Sequence, residues 1–392
     1  MRHTRAGPCG VRDPPTETHG VVHCPAMSLR MRPWAVGIAA ASILVTTVPT
    51  VALPAQAAPR DPARLTVMTQ NLYLGSSLDP AIEAQDAREF IIAVATIYGT
   101  AVATDFPKRA QTIAKAIADE RPDLIGLQEV TKWTATRTEG GPDLPNYDFL
   151  EILMAALEAE GLNYSVAGVV DNANISAPLV NPELECDGTF PAFDCNATLL
   201  DRDAILVNNE TGIKITPRSL KTGRFKAQAS LETPLGPRSF DRGWLYVDME
   251  YSGRDFRFAN THLEVESYAT VQTRQSREFI EIVQKDRPGP VIAAGDFNSA
   301  ADGSNTRSYA ILTDYFADMW DEGRHGVGLT CCQDGELQNT ESEYTVRIDL
   351  LLGKGKVSSN WARVLPLPIE GAQALPLWGS DHGGVVAQVR LR

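Results

Sequence analysis

Positive charge is what this sequence lacks. Its 392 residues carry 36 Lys and Arg against 49 Asp and Glu, a formal net charge of −13. Residues 1–57 hold five Arg and two acids, a net of +3, which leaves −16 on residues 58–392. Such a chain is repelled by polyanions at long range and is a poor general DNA binder by charge alone. A bound divalent cation would reverse the sign locally. Cysteine is scarce too: of six, Cys9 and Cys24 precede residue 58, leaving Cys186, Cys195, Cys331 and Cys332. No nearby CxxC or histidine pairing accompanies them, which argues against a zinc site. There is no internal repeat, and past residue 57 no apolar run suited to crossing a membrane.

The one long apolar run is Ala35 to Leu53. Arg30 and Arg32 precede it and the small-x-small pattern Ala55-Gln56-Ala57 follows, so Met27 to Ala57 reads as a secretory signal. A membrane anchor fits less well, because Pro49 and Pro54 interrupt the end of the run. Residues 1–26 are unpatterned and read as an upstream extension, with Met27 or Met31 the true start. The expectation is a secreted protein cut near Ala57. The remaining 335 residues can bury a large core, as one domain or two smaller ones. In an exported chain four cysteines suggest disulfides, with three possible connectivities. Cys186–Cys195 is the natural local pair, worth about 2–4 kcal/mol. Cys331-Cys332 is vicinal, and either closes a ring or stays reduced.

Leu65–Leu72 alternates and is rich in β-formers, predicting a strand that ends at Gly75. Asp79 and Pro80 then start a helix, with Ile82, Phe90, Ile91, Val94, Ile97 and Tyr98 as its apolar stripe. Lys108–Glu120 is a second helix, stopped by Arg121-Pro122. Asp123–Val130 is a strand and Tyr147–Glu160 a helix. Residues 171–200 lose periodicity, predicting a long surface loop and a specificity element. Strands follow at Asp203–Val207, Trp244–Tyr251 and Phe256–Leu263, the last two joined by a Ser252-Gly253 hairpin. Ala269–Gln284 is helical, and Val291 to Ala294 is a buried strand that Gly295 allows to turn. A helix near Tyr309–Trp320 and strands at Val346–Leu352 and Val385–Leu391 complete the chain. The mixture predicts an α/β fold, two mostly antiparallel sheets packed face to face with outer helices.

Six strand ends carry residues of one chemical type. They are Asn71, Glu129, Asn260-Thr261-His262, Asp296 with Asn298, Arg347-Ile348-Asp349, and Ser380-Asp381-His382. Each has an ordinary explanation as a turn former, a cap or a surface pair. Together they would need six coincidences. The chemistry that uses the whole set is metal-assisted attack of water on phosphorus. Mg²⁺ wants hard oxygen ligands and keeps several waters. Glu129, Asn71 and Asp381 supply such oxygens without closing a cage. Asp296 can orient or deprotonate water, and Asn298 and Asn260 can donate to phosphoryl oxygens. His262 and His382 are cations or donors for transition-state charge, and a carboxylate such as Asp349 can fix a histidine tautomer.

This series, with Leu127-Gln128-Glu129-Val130, Gly295-Asp296-Phe297-Asn298 and Ser380-Asp381-His382 at its centre, resembles the endonuclease/exonuclease/phosphatase superfamily in motif order over residues 65 to 391. The resemblance implies a single domain over 58–392 with a four-layered α/β sandwich, and Mg²⁺-dependent cleavage of a phosphoester, with Mn²⁺ or Ca²⁺ as substitutes. It implies Glu129 as the main metal ligand, assisted by Asn71 and Asp381. It implies His382 at the scissile phosphate oriented by Asp349, Asp296 and Asn298 at the attacking water, and His262 as a second phosphate-side histidine. Arg202 sits where the family has a substrate-side aromatic or basic residue. Deoxyribonuclease-like members carry an Arg shortly after the metal Glu; here Val130-Thr131-Lys132-Trp133 follows instead.

The substrate classes are nucleic acid, phospholipid, as in sphingomyelinases, or a soluble ester, as in inositol-phosphate phosphatases. Acidic charge opposes the first. The second needs exposed apolar loops, for which Leu179-Val180, Phe190 and Phe193 are candidates unless they pack around the Cys186–Cys195 bridge. The third needs a basic pocket, from Lys221, Arg224 and Lys226 unless these form a solvated face. No stable protein partner is implied. A non-catalytic binding protein on the same fold would dispense with the metal Glu or the catalytic His, and both are present. A retaining glycosidase would use two of the carboxylates and leave the histidines and asparagines unexplained.

Overall fold

The computed structural model describes residues 63–140, 144–188, 192–286, 289–372 and 374–392. The segment expected to be a signal sequence and Phe190 lie outside them. The first half runs β1 (Ala63–Asn71), α1 (Asp79–Glu83), α2 (Ala87–Ala103), α3 (Phe106–Glu120), β2 (Leu124–Gln128), β3 (Lys132–Arg137), β4 (Asn146–Asp148), α4 (Phe149–Ala159), β5 (Tyr164–Pro178) and β6 (Cys195–Asn208). The second runs β7 (Lys214–Ile215), β8 (Lys221–Arg224), β9 (Ser230–Leu231), β10 (Arg238–Ser239), β11 (Gly243–Tyr251), β12 (Arg254–His262), α5 (Ala269–Gln284), β13 (Val291–Asp296), α6 (Ser308–Thr313), β14 (Ala317–Asp318), α7 (Glu322–His325), β15 (Asp349–Lys354), β16 (Val357–Leu365) and β17 (Gly384–Leu391).

One sheet has the order β16-β17-β1-β2-β6-β3-β4, with β5 also on β6; the other has β14-β15-β13-β12-β11-β7, with β8 also on β11. Leu65, Val67, Leu124, Ile205, Val247, Phe258, Ile292 and Val389 fill the space between them. Phe90, Val94, Ile113 and Leu153 of α2, α3 and α4 cover the outside of the first sheet, and Phe279, Val283 and Leu312 of α5 and α6 cover the second. This is the expected four-layered sandwich. Among the described residues no single helix is long and apolar enough to cross a membrane.

Two strand pairs are parallel, β1 with β2 and β12 with β13, and the rest are antiparallel. The parallel pairs decide where the polar ends meet. Parallel neighbours bring their C-terminal ends to one edge, so Asn71 lies beside Gln128 and His262 beside Asp296. Strands antiparallel to these begin at the same edge. Asp349 opens β15 opposite Asp296, and β17 starts two residues after His382.

Several sequence expectations need correction. Residues 171–178 and 195–200 are strand rather than loop: β5 and β6 pair along most of their length. Bulges between Val166 and Gly168 and between Asp171 and Asn174 break the alternation that would have marked the strands. The helix expected from Asp79 is two helices, parted where Asp86 caps α2 by accepting from Arg88 and Glu89. The helix near Tyr309–Trp320 stops at Thr313, and Ala317–Asp318 joins β15 instead. Gly295 does not turn: it lies within β13, where a Cβ would fall 2.5 Å from the Thr261 carbonyl oxygen. Close approach of neighbouring strands, not backbone freedom, requires glycine there. Cys186 and Cys195 are disulfide-bonded, as expected. Val180 and Phe193 are half-buried and line a surface cavity with Ile91, Ile92 and Ala95 of α2. Lys221 and Arg224 are exposed on β8, where Arg224 pairs with Asp241; they form a solvated face.

Arg109 of α3 braces the edge from behind. It is fully buried and donates to the carbonyls of Thr104 (3.0 Å), Leu72 (2.6 Å), Tyr73 (3.3 Å) and Gly379 (3.2 Å). Its guanidinium lies 4.8 Å from the Phe106 ring centre and 5.5 Å from that of Phe149. Burial pulls its pKa down to about 10, while Tyr73 and Asp381 oppose the fall. Replacing it with Met leaves several buried carbonyls without a donor. Arg109→Met should therefore cost about 3 kcal/mol or more in urea unfolding; a loss under about 0.5 kcal/mol would contradict the bracing role.

Candidate active site

The site is built from residues just past the strand ends, several in strained backbone. Tyr73 (φ 63°), Glu129 (φ 53°) and Asn298 (φ 49°) all sit in the left-handed region without being glycine. Such conformations cost of order 1 kcal/mol or more and persist where surrounding bonds over-determine them. Those bonds are present. The Glu129 carboxylate accepts from the Leu74 N–H at 2.5 Å and from Asn71 Nδ2 at 3.1 Å. The Asn298 N–H donates to Asp296 Oδ1 at 2.9 Å. Asn71 Oδ1 accepts from the Tyr73 N–H at 2.8 Å.

Asn71 Nδ2 also donates to Asp296 Oδ2 at 3.0 Å, so one carboxamide links Glu129 on the first sheet to Asp296 on the second. Ser380 Oγ donates to the Asn71 carbonyl at 2.8 Å and accepts from the His382 N–H at 3.1 Å, which fixes the last motif to the first. His382 Nδ1 is 2.8 Å from Asp349 Oδ2, and its Nε2 is 3.8 Å from Asp296 Oδ2. Asp296, Asp349 and His382 thus form a compact buried group.

The electrostatics separate the two histidines. Burial disfavours charge on both. Around His382 the carboxylates of Asp349, Asp381 and Asp296 outweigh burial and hold its pKa well above the ordinary value, so it is a cation. Around His262 burial is reinforced by Arg242, and its pKa falls well below. Arg242 Nη1 lies 3.0 Å from His262 Nδ1, and Asn298 Nδ2 lies 2.9 Å from Nε2. Nδ1 faces a guanidinium, which can only donate, whereas Nε2 has the Asp296 carboxylate as well as the Asn298 amide beside it. The charged donor claims Nδ1, leaving the ring proton on Nε2, which faces Asp296 Oδ2 at 3.4 Å. Burial raises the Asp296 and Asp381 carboxyls to about 7, with Asp349 adding to the first and Glu129 to the second.

Two expected site residues are placed elsewhere. Asn260 stands one pleat below His262, with its Nδ2 donating to the carbonyls of Leu127 (2.8 Å) and Ala204 (3.0 Å) and its Oδ1 accepting from Gln128 at 2.6 Å. It stitches the two sheets together, and a Cβ on Gly126 would lie 2.7 Å from its Oδ1. Arg202 projects from β6 opposite to Asp201 and Asp203; it pairs with Asp148 at 2.5 Å and donates to the Val130 carbonyl at 2.8 Å. Arg347 pairs with Asp318 at 2.9 Å, leaving Asp349 to His382.

Arg242 is the residue that reading the sequence missed. It lies just before β11, where the hairpin register from Tyr251–Arg254 to Trp244–Thr261 sets Gly243, not Arg242, opposite His262. The Ser252-Gly253 signal gave that register but not the reach of the Arg242 side chain.

The profile of the endonuclease/exonuclease/phosphatase family matches residues 68–382. Comparison with curated protein sequences gives no match. Among solved structures, an endonuclease/exonuclease/phosphatase family protein from Leptotrichia buccalis is similar at 13% identity and a TM-score of 0.51, covering 83% of this chain and 99% of its own. One from Bacteroides thetaiotaomicron is similar at 18% identity and a TM-score of 0.51, covering 85% and 96%. At such identities these likenesses speak for the fold.

Arg242→Met should release His262 Nδ1. In ¹⁵N-histidine NMR the Nε2-protonated signature of one ring should give way to a mixture of tautomers, and turnover should fall about tenfold or more. An unchanged tautomer would show that Arg242 does not position the ring.

Proposed function

Because the chain belongs to the endonuclease/exonuclease/phosphatase family, whose members hydrolyse phosphoesters, we propose that it is an exported, Mg²⁺-dependent phosphoester hydrolase of the phosphodiesterase or nuclease type. The observation that carries this reading is the single bonded group Glu129–Asn71–Asp296 with Asp349–His382 beside it, drawn from five separated stretches of sequence.

The donors fit a hard divalent cation. Glu129 and Asp381 would hold it through carboxylate oxygen and Asn71 through its Oδ1, which here accepts the Tyr73 N–H; burial pushes the Asp296 and Asp381 carboxyls up to about 7, a penalty on their charge that a cation beside them would offset. When bound, Mg²⁺ supplies a Lewis acid against a phosphoryl oxygen; Mn²⁺ or Ca²⁺ would suit the same ligands. Asp296 accepts the proton of the attacking water. Its Oδ1 is held by the Asn298 N–H and its Oδ2 by Asn71, so the carboxylate is oriented before substrate arrives. His382, a cation steadied by Asp349, donates through Nε2 to the phosphoryl oxygen on which charge builds as the P–O bond to the leaving group breaks. Neutral His262 offers its Nε2 proton from the other side and adds no charge. The alternatives within this chemistry are a sphingomyelinase-type phospholipid cleaver and an inositol-phosphate phosphatase.

Three experiments follow. Purified residues 58–392 should cleave bis-p-nitrophenyl phosphate with Mg²⁺ and stop on chelation, and His382→Ala should lower turnover by about 10² to 10⁴. A panel of plasmid DNA, sphingomyelin and inositol phosphates then ranks the substrates; metal-independent turnover, or none on any phosphoester, would sink the assignment. In a secreting host the full chain should appear in the medium with its N-terminus near Ala58, and retention of the uncut chain would remove export from the proposal.

A further inference from the structure

Two cysteines border the catalytic histidine. The backbone pins them to the Ser380–Gly383 turn on both sides: the Gly383 N–H donates to Thr330 O at 2.8 Å, and the Gln333 N–H donates to Asp381 O at 2.9 Å. Between these bonds Cys331 bridges to both Val346 and His382. Cys331 is buried, Cys332 is exposed, and the two are joined as a vicinal disulfide. Cys332 Sγ lies 3.9 Å from His382 Nε2, the nitrogen that Asp349 leaves free. Both sulfurs and a His382 ring nitrogen fall within 4.8 Å of one another.

The hard oxygen donors Glu129 and Asp381 suit Mg²⁺. Two thiolates and an imidazole suit a softer cation, bound at about 2.3 Å to sulfur and about 2.0 Å to nitrogen. We propose that the reduced Cys331–Cys332 pair, with His382 Nε2, is a binding site for a thiophilic divalent cation such as Zn²⁺ or Cd²⁺, and that its occupation withdraws His382 from the phosphoester. The inhibitory half of this rests on His382 acting as described under Proposed function; the binding half does not. A thiol or phosphine reductant opens the S–S bond, its two electrons passing to the two sulfurs while the reductant is oxidised. Each thiol then gives up one proton and the His382 imidazolium gives up its Nε2 proton as they take the metal, and the metal keeps its oxidation state. The oxidised pair has no thiolate to offer, so the disulfide closes the site.

The test uses the purified chain over residues 58–392, either treated with a phosphine and desalted or left untreated, and titrated with CdCl₂ in saturating Mg²⁺. The reduced protein should show the ultraviolet thiolate-to-Cd²⁺ charge-transfer band, saturating at one cation per chain, and phosphoester hydrolysis should fall at least about tenfold in parallel. The untreated protein should show neither. Cys332→Ser, with activity scaled to its own Mg²⁺-only rate, should weaken Cd²⁺ binding by about a hundredfold and escape inhibition. His382→Ala should keep the band at a weaker affinity. If thiol titration finds both cysteines free and no band forms, the site does not exist. If Cd²⁺ inhibits Cys332→Ser as strongly as the parent, the cation acts at the Glu129 ligands and the proposal falls. The band is read without turnover, so an inactive protein would overturn the hydrolase reading while still deciding the metal site.

Discussion

The Asn71 carboxamide is the bond on which the arrangement of the site depends. Its nitrogen is shared between Glu129 on the first sheet and Asp296 on the second, and its oxygen takes the Tyr73 N–H. Facing sheets alone are held by apolar side chains, which tolerate sliding more readily than directional bonds do. Asn71 and, one layer down, Asn260 convert that soft contact into a register. Asn260 bonds Leu127 and Ala204 across the same gap. The site can therefore draw residues from both sheets and still hold them to within the tolerance that catalysis requires.

This register gathers acids to an unusual degree. Glu129, Asp296, Asp349 and Asp381 meet at the edge, and behind them Asp201 and Asp203 lie fully buried on one face of β6. Burial raises Asp201 to about 7 and Asp203 well above its ordinary value. Three of the four oxygens of that pair find no hydrogen-bond partner among the described residues. Against them stand Arg242, Arg109 and the cation of His382. Arg109 spends its donors on backbone carbonyls. A buried edge with more carboxylates than cations either protonates or takes up a divalent ion, and the half-open position of Glu129 and Asp381 favours the ion.

The strand ends were legible in the sequence because they are local: a buried run followed by Asn, Glu, Asp or His needs no tertiary knowledge. The layers followed from the mixture of hairpins and amphipathic helices. What was not legible depended on pairings between distant segments. Residues 171–178 and 195–200 read as a loop because bulges shift their alternation. Gly295 looked like a turn glycine, yet what demands it is the Thr261 carbonyl of a neighbouring strand. Arg202 looked available to a substrate because its partner, Asp148, is remote in the chain and belongs to β4. Asn260 carried the right chemistry one pleat too deep. The side-chain type was readable in each case, and the partner that set its role was not.

The two histidines show how completely the partner decides. Both lie at the same edge and both are nearly excluded from water. Desolvation alone would make both neutral. Asp349, with its carboxylate 2.8 Å from Nδ1, makes His382 a cation; Arg242, with its guanidinium 3.0 Å from Nδ1, keeps His262 neutral. Each ring therefore presents an Nε2 proton toward Asp296, but only one brings charge with it. A second cation at this edge would compete with any bound divalent ion for the same carboxylates. A neutral donor does not, and an arginine is suited to enforce this because it cannot give up its proton to the ring it faces.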